Sequence, residues 1–176
     1  MEAGTLNRDK AKIIIKDFLT VLHRYYWLKS NVLMGDTGQI IILGGSNSDG
    51  NYICNELTYL WIEALMELKL PDPKILLRVN QKMPRDLMEL AVRCIETGIG
   101  SPILANDDVI IPSLLEYGID KEDAYEYGTS ACWEPLVPGK SISLNNISYL
   151  KYPQVFMNML EEISDEVTFE DLLVSY

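Results

Sequence analysis

The chain has 176 residues, of which 48% are apolar and 23% charged, and a net charge of −11. That is enough chain for one domain with a hydrophobic core, and so acidic a balance argues against a nucleic-acid footprint. No run approaches a membrane span and no N-terminal segment reads as a signal peptide, so the expected setting is the cytoplasm, away from membrane.

The three cysteines, Cys54, Cys94 and Cys132, are odd in number and match neither a disulfide framework nor a CxxC metal pair. A reducing compartment and no metal site are expected. His23 is the single histidine and lies inside a predicted helix, so a histidine triad or histidine-rich metal site is not expected.

In chain order, residues 7–30 read as a helix with Asn7 as N-cap and Ala11, Ile14, Ile15, Phe18, Leu22 and Tyr25 at helical spacing. Its far end, Tyr25-Tyr26-Trp27, is apolar nearly all round, which predicts burial on several sides. Gly35–Gly38 is a predicted turn. Gln39–Leu43 is a short apolar run suited to a strand buried on both faces, ending in Gly44-Gly45 and a loop of Ser, Asn, Asp and Gly. That loop has neither the GxGxxG pattern nor a Walker Lys-Ser/Thr, so it predicts a turn and no phosphate cradle.

Residues 53–69 predict a second helix, with Leu57, Trp61, Ala64, Leu65 and Leu68 as its stripe, stopped by Pro71 and Pro73. Ile75–Val79 predicts a strand that Arg78 interrupts. A cation there needs a carboxylate or water, so Arg78 either faces a polar cavity or marks a surface strand end. Pro84 opens a third helix that Gly98 caps, with Leu87, Leu90, Ala91, Cys94 and Ile95 on one face. Cys94 is then a small core hydrophobe, and Cys54 is expected to be structural. Ile103–Ala105 is a short strand running into Asn106-Asp107-Asp108. Short helical pieces follow at Pro112–Tyr117 and Asp120–Tyr127, the latter with Asp120 as N-cap and Asp123 in a capping-box position. Gln154–Ile163 predicts a helix, and 164–176 a last short one capped near Thr168. Strands alternating with helices and short connections indicate an α/β architecture with a thin parallel sheet of three or four strands, with no linker dividing the chain.

Between Tyr127 and Pro135 lies a thiol with a carboxylate two residues on. Glu134 precedes a proline and is therefore expected to be extended. If Trp133 is extended too, Cys132 and Glu134 project to one side and Trp133 to the other. A thiol and a carboxylate facing one space suit chemistry that removes one atom with sulfur and moves a proton with oxygen. No His or Lys is near Cys132 in sequence to lower its pKa, so a plain thiol nucleophile is the weaker reading.

The run Glu122-Asp123-Ala124, Tyr127-Gly128 and Cys132-Trp133-Glu134-Pro135 resembles the cysteine loop of the glycyl radical enzymes, the pyruvate formate-lyase family. In the dehydratase and lyase branch the loop reads E-D-A-x-x-Y-G-x-x-G-C-V-E-P. Here Ala131 stands at the usual glycine and Trp133 at the usual valine. Upstream, Gly44-Gly45, Asn55–Leu60, Arg78, Pro84, Gly98-x-Gly100-x-Pro102, Asn106-Asp107 and Ile111-Pro112 are similar to the same family in the same order.

The resemblance implies a partial segment of a ten-stranded α/β barrel, with residues 1–176 as one segment and the cysteine loop threaded inside. It implies that Cys132 becomes a thiyl radical that takes hydrogen from a small polar substrate, that Glu134 handles the proton, and that Arg78 and Asn106 bind substrate. No cofactor is expected to bind directly. The family's R-V-x-G-Y glycine motif is absent and no glycine follows Gly139. The glycine radical domain is therefore expected from the remainder of the enzyme or a companion glycyl radical chain, charged by a separate radical-SAM activating enzyme in anaerobic metabolism. This chain alone is expected to be inactive and to self-associate, since three or four strands cannot close a barrel. The alternatives are a non-catalytic remnant or assembly module and a formate acetyltransferase-type C–C lyase. Cys-x-Glu-Pro in place of adjacent cysteines argues against the last.

Overall fold

The computed structural model describes residues 6–27, 39–130, 133–140, 151–162, 168 and 170. The predicted turn at Gly35–Gly38 and most of the predicted last helix lie outside these residues. The chain forms two compact units, residues 1–143 and residues 144–176. The second contains helix α6, Tyr152–Glu162.

The first unit opens with helix α1, Arg8–Trp27. Asn7 caps it as expected, its side-chain oxygen accepting from Lys10 N at 2.9 Å. The buried face is Ala11, Ile15 and Leu19, which pack with Leu60, Ala64 and Leu65 of helix α2, Glu56–Leu68, and with Ile75. The expected stripe was therefore only partly right. Ile14, Phe18 and Tyr25 are about half exposed, and Leu19 is fully buried. Two apolar stripes run along this helix: α2 buries the first, and of the second it meets Phe18, whose ring stands edge-on to Trp61 at 5.8 Å.

Helix α2 begins where Asn55 and Thr58 close a capping box: Leu57 N donates to the Asn55 side chain at 2.9 Å and Asn55 N donates to Thr58 Oγ1 at 3.3 Å. Its expected stripe also shifts. Leu57 is exposed, whereas Leu60 and Ile62 are fully buried. The reason is that α2 packs on two sides, Leu60 and Ala64 against α1 and Ile62 against helix α3, Arg85–Glu96. On α3, Leu87, Leu90, Ala91 and Cys94 are buried as expected and Ile95 is partly exposed. Cys94 is a core residue whose thiol burial pushes up to about 11. Cys54 is half-buried against the same cluster.

Strands β1 (Ile40–Gly44), β2 (Lys74–Val79) and β3 (Ile103–Asn106) form a parallel sheet in the order β1-β2-β3. The architecture is thus α/β with a parallel sheet. Strand β1 is only half-buried, not covered on both faces, because among the described residues it is an edge paired to β2 alone. On β2, Ile75 and Leu77 enter the helix-side clusters. Alternation turns Leu76 and Arg78 to the second face, beside their partners Ile42 and Gly44 on β1 and Ile103 and Ala105 on β3.

Helix α4 spans Asp107–Glu116, five residues longer at its start than the expected piece. Asn106 caps it and two aspartates occupy its first turn, which the helix dipole favours. Pro112, read from sequence as an opening residue, sits inside it. Helix α5, Lys121–Tyr125, has Asp120 before it without a side-chain cap bond. Asp123 instead grips Lys140, whose Nζ donates to its two oxygens at 2.8 and 2.7 Å. Strands β4, Gly128–Ser130, and β5, Glu134–Leu136, then pair antiparallel, Ser130 opposite Glu134.

Candidate active site

The C-terminal ends of the three parallel strands meet at one buried carboxylate. Asp107, the first residue after β3, is 2% exposed, and Arg78, near the end of β2, is 6% exposed. The Arg78 guanidinium donates as a fork to Asp107, Nε to Oδ1 at 2.9 Å and Nη2 to Oδ2 at 3.0 Å. Ser46, just past β1, donates its backbone N–H to Asp107 Oδ2 at 2.6 Å, and Asn80 Nδ2 donates to Ser46 Oγ at 2.7 Å. The cation in the apolar strand is therefore matched by a buried carboxylate, which is what burial of both charges requires.

Tyr127, the residue before β4, joins this network three ways. Its hydroxyl donates to Asp107 Oδ1 at 2.7 Å, its ring lies 4.0 Å beneath the Arg78 guanidinium carbon, and its carbonyl accepts from Arg78 Nη1 at 3.4 Å. Burial, with the Asp107 bond adding to it, raises the Tyr127 hydroxyl pKa well above the phenol range, so the hydroxyl stays a donor. Tyr52 donates its hydroxyl to the Arg78 carbonyl at 2.8 Å, and burial raises its pKa likewise.

Gly44-Gly45 has a steric role here. Gly45 has φ +122°, and a Cβ on it would sit 2.9 Å from Arg78 Cζ; on Gly44 it would collide with the Tyr52 hydroxyl.

The hairpin that starts at Tyr127 crosses the second face of the sheet. A Cβ on Gly128 would lie 3.3 Å from Ile42 Cδ1 and 3.3 Å from Pro138 Cγ, so only glycine lets β4 settle there without displacing a neighbour. Glu134 is extended, as its place before Pro135 predicts, and half-buried in β5. Alternation puts it with Leu136, the partner of Gly128, on the face that Gly128 turns to Ile42. Cys132 lies outside the described residues, between those two strands in sequence. Trp133 is not extended: its φ is +76°, in the left-handed region. The condition that would align Cys132 with Glu134 by simple alternation is therefore not met. A residue of this conformation is what closes a three-residue hairpin loop.

Of the other expected site residues, Arg78 turns its fork to Asp107, and Asn106 accepts from Asp108 N at 3.0 Å as a helix cap. A separate cleft of about 170 Å³ opens beside the network, lined by Ser46, Asn80, Asp107, Asp108, Ile111 and Tyr125 among others. Among the described residues, no group of three or more His, Cys, Asp or Glu could hold a metal, and no helix is long and apolar enough to cross a membrane.

A family model described as pyruvate formate lyase-like matches residues 1–176. This chain belongs to the pyruvate formate lyase-like family. It is similar to a probable dehydratase, YbiW, of Escherichia coli, 31% identical over 127 residues, covering 70% of this chain and 16% of that protein. It is also similar to the trans-4-hydroxy-L-proline dehydratase of Clostridioides difficile, 27% identical over 175 residues, covering 96% of this chain and 22% of that protein. Among solved structures, the glycerol-bound B12-independent glycerol dehydratase of Clostridium butyricum matches with a TM-score of 0.70 at 25% identity, over 98% of this chain and 24% of that one. The chain thus spans less than a quarter of the length of these relatives, and its fold is a partial segment of a pyruvate formate lyase-type barrel.

Sequence reasoning does not single out Asp107 or Tyr127 as working residues, although both stand within the stretches that carry the resemblance. The signal that was available was Arg78: a cation in a buried strand requires a carboxylate, and Asp107 follows the next strand at its C-terminal end.

Proposed function

We propose that residues 1–176 are one segment of a glycyl radical lyase or dehydratase, carrying its reactive cysteine and its proton-transfer carboxylate. The observation that carries this is the hairpin: Glu134 sits half-buried in β5, two residues from Cys132 in sequence, and Gly128 of the paired strand lies against Ile42 of the sheet. The family membership and the relatives named as dehydratases support the reaction class. Those names include a hydroxyproline dehydratase and a glycerol dehydratase, which support a small, polar, hydroxylated substrate.

A glycine radical from the remainder of the enzyme or a companion chain, installed by a radical-SAM activating enzyme, would supply the unpaired electron, with the Cys132 S–H giving up its hydrogen atom. The Cys132 sulfur then takes a hydrogen atom from a substrate C–H bond, forming S–H as C–H breaks. Glu134 accepts a proton from a substrate hydroxyl as the neighbouring C–O bond breaks, and that proton leaves with the departing hydroxyl as water, which returns Glu134 to the carboxylate. The hydrogen atom returns from Cys132 to the product. Asn106 caps α4 and Arg78 faces Asp107, so we place both as supports of the site and assign the substrate contacts elsewhere. The setting is cytoplasmic anaerobic metabolism.

The test combines this chain with a glycyl radical companion chain and its activating enzyme without oxygen, and measures aldehyde formation from glycerol and propane-1,2-diol. Turnover is expected to vanish in Cys132→Ser and to fall about 100-fold or more in Glu134→Gln, the usual contribution of a positioned acid-base group. Full turnover in either variant would sink the assignment. Tight association without product from these or other hydroxylated substrates would support a non-catalytic assembly module, the reading that the exposed Ile14 and Val21 on α1 favour.

A further inference from the structure

The hairpin enters from Tyr127, and Tyr127 is held by its ring, its hydroxyl and its carbonyl at once. The holding groups come from β2 and from the start of α4, and Asp107 is itself tied to the end of β1 through Ser46 N. The ends of all three parallel strands therefore converge on the one residue from which β4 departs. The far foot of the hairpin is held separately by the Lys140–Asp123 pair. None of these atoms is needed for the helix-side cores, which are built from Ile75 and Leu77 on the opposite face of the sheet.

We infer that Arg78, Asp107 and Tyr127 are positioning residues that set where the β4–β5 hairpin, and with it Glu134, sits over the sheet. Arg78 serves this role better than lysine could. Its planar fork meets both carboxylate oxygens while its flat face lies on the Tyr127 ring, and an ammonium offers only one of these at a time. Asp107 Oδ1 accepts from both Arg78 Nε and the Tyr127 hydroxyl, so the three groups act as a unit. The catalytic meaning of this placement rests on the proposed function above; the placement itself does not.

The full chain carries its own reporters. Cys132 lies between the two hairpin strands in sequence, and Cys94 lies in the α2–α3 core with no exposed surface. Alkylation of both thiols by iodoacetamide is followed residue by residue by mass spectrometry, in the parent chain and in Tyr127→Phe and Arg78→Lys. Tyr127→Phe keeps the ring and removes one charge-assisted hydrogen bond. The Cys132 rate is expected to change by about tenfold or more, with the Cys94 rate unchanged, which is the effect of losing one such bond. Arg78→Lys keeps the charge but loses the fork, and its Cys132 rate is expected to differ from the parent's as well. Equal Cys132 rates in all three chains would overturn the inference. So would Cys94 and Cys132 rates rising together, since the network would then be a brace of the whole fold. The labelling needs no radical, substrate or companion chain. Loss of turnover in Cys132→Ser and a selective labelling change in Tyr127→Phe can therefore succeed or fail independently.

Discussion

Gly45 shows how one residue sets the site. Its φ of +122° is strained for any residue with a Cβ, and that Cβ would stand 2.9 Å from Arg78 Cζ. The guanidinium cannot swing aside cheaply, because Asp107 holds it by two bonds and the Tyr127 ring lies under it. Gly45→Ala is therefore expected to lower stability by about 2 kcal/mol, combining backbone strain with a displaced buried ion pair. A urea denaturation curve checks this, and an unchanged midpoint would show that the network tolerates displacement. Sequence alone shows Gly44-Gly45 as a turn and Arg78 as a break in an apolar strand. The contact that links them lies between residues far apart in the chain, and no local pattern encodes it. The hairpin loop is only partly legible for a related reason. The proline rule fixes Glu134, but nothing local forces Trp133 to be extended, and its φ of +76° breaks the alternation.

Among the elements, α1 is the clearest case of a pattern with two solutions. Ile14, Phe18, Val21 and Tyr25 recur at helical spacing, and so do Ala11, Ile15 and Leu19; only the second set is buried. Leu19→Ala is expected to cost about 2–4 kcal/mol, because the side chain is fully enclosed, whereas Ile14→Ala should stay within about 0.5 kcal/mol. Thermal melts of the two variants separate the faces, and equal losses would mean that both are covered in solution. The same helix pair carries an ion ladder. Arg8 and Lys12 bond Glu63, and Lys12 and Lys16 bond Glu67. The Arg8 hydrogen bond, with help from Lys12, holds the Glu63 carboxyl below its usual range, and Lys12 and Lys16 do the same for Glu67. A depressed carboxylate contributes stability above its unfolded pKa, near 4.3, and that contribution is lost as pH falls through the lower folded value. Stability should therefore drop on acidification from about pH 5 downward. Glu63→Gln should flatten that part of the profile, with a small amplitude because these groups are partly exposed and screened by salt. An acid titration of the melting temperature that is identical in the two chains would remove the ladder from the account.

At the scale of the whole molecule, the alternation of strands and helices gave the parallel sheet and its order of elements. The way its edges and outer stripes are covered is not legible in a segment whose relatives are several times longer. Strand β1 is half-buried, and among the described residues neither β1 nor β3 has a second strand partner. The stripe of Ile14, Phe18, Val21 and Tyr25 exposes apolar area along three turns of one helix. A row of unpaired backbone groups beside apolar side chains is a template for association. The occupant that fits both is the remainder of a family barrel, which would extend the sheet from its edges and pack on the outer helix. The chain alone is then expected to self-associate at micromolar concentration in sedimentation velocity runs. A companion chain supplying the rest of the barrel is expected to convert these assemblies to a defined complex. Ile14→Lys with Val21→Lys should weaken association at least tenfold while leaving the melting temperature nearly unchanged, since both positions are more than half exposed. A stable monomer with no affinity for the companion would show that these surfaces are ordinary solvent-facing ones.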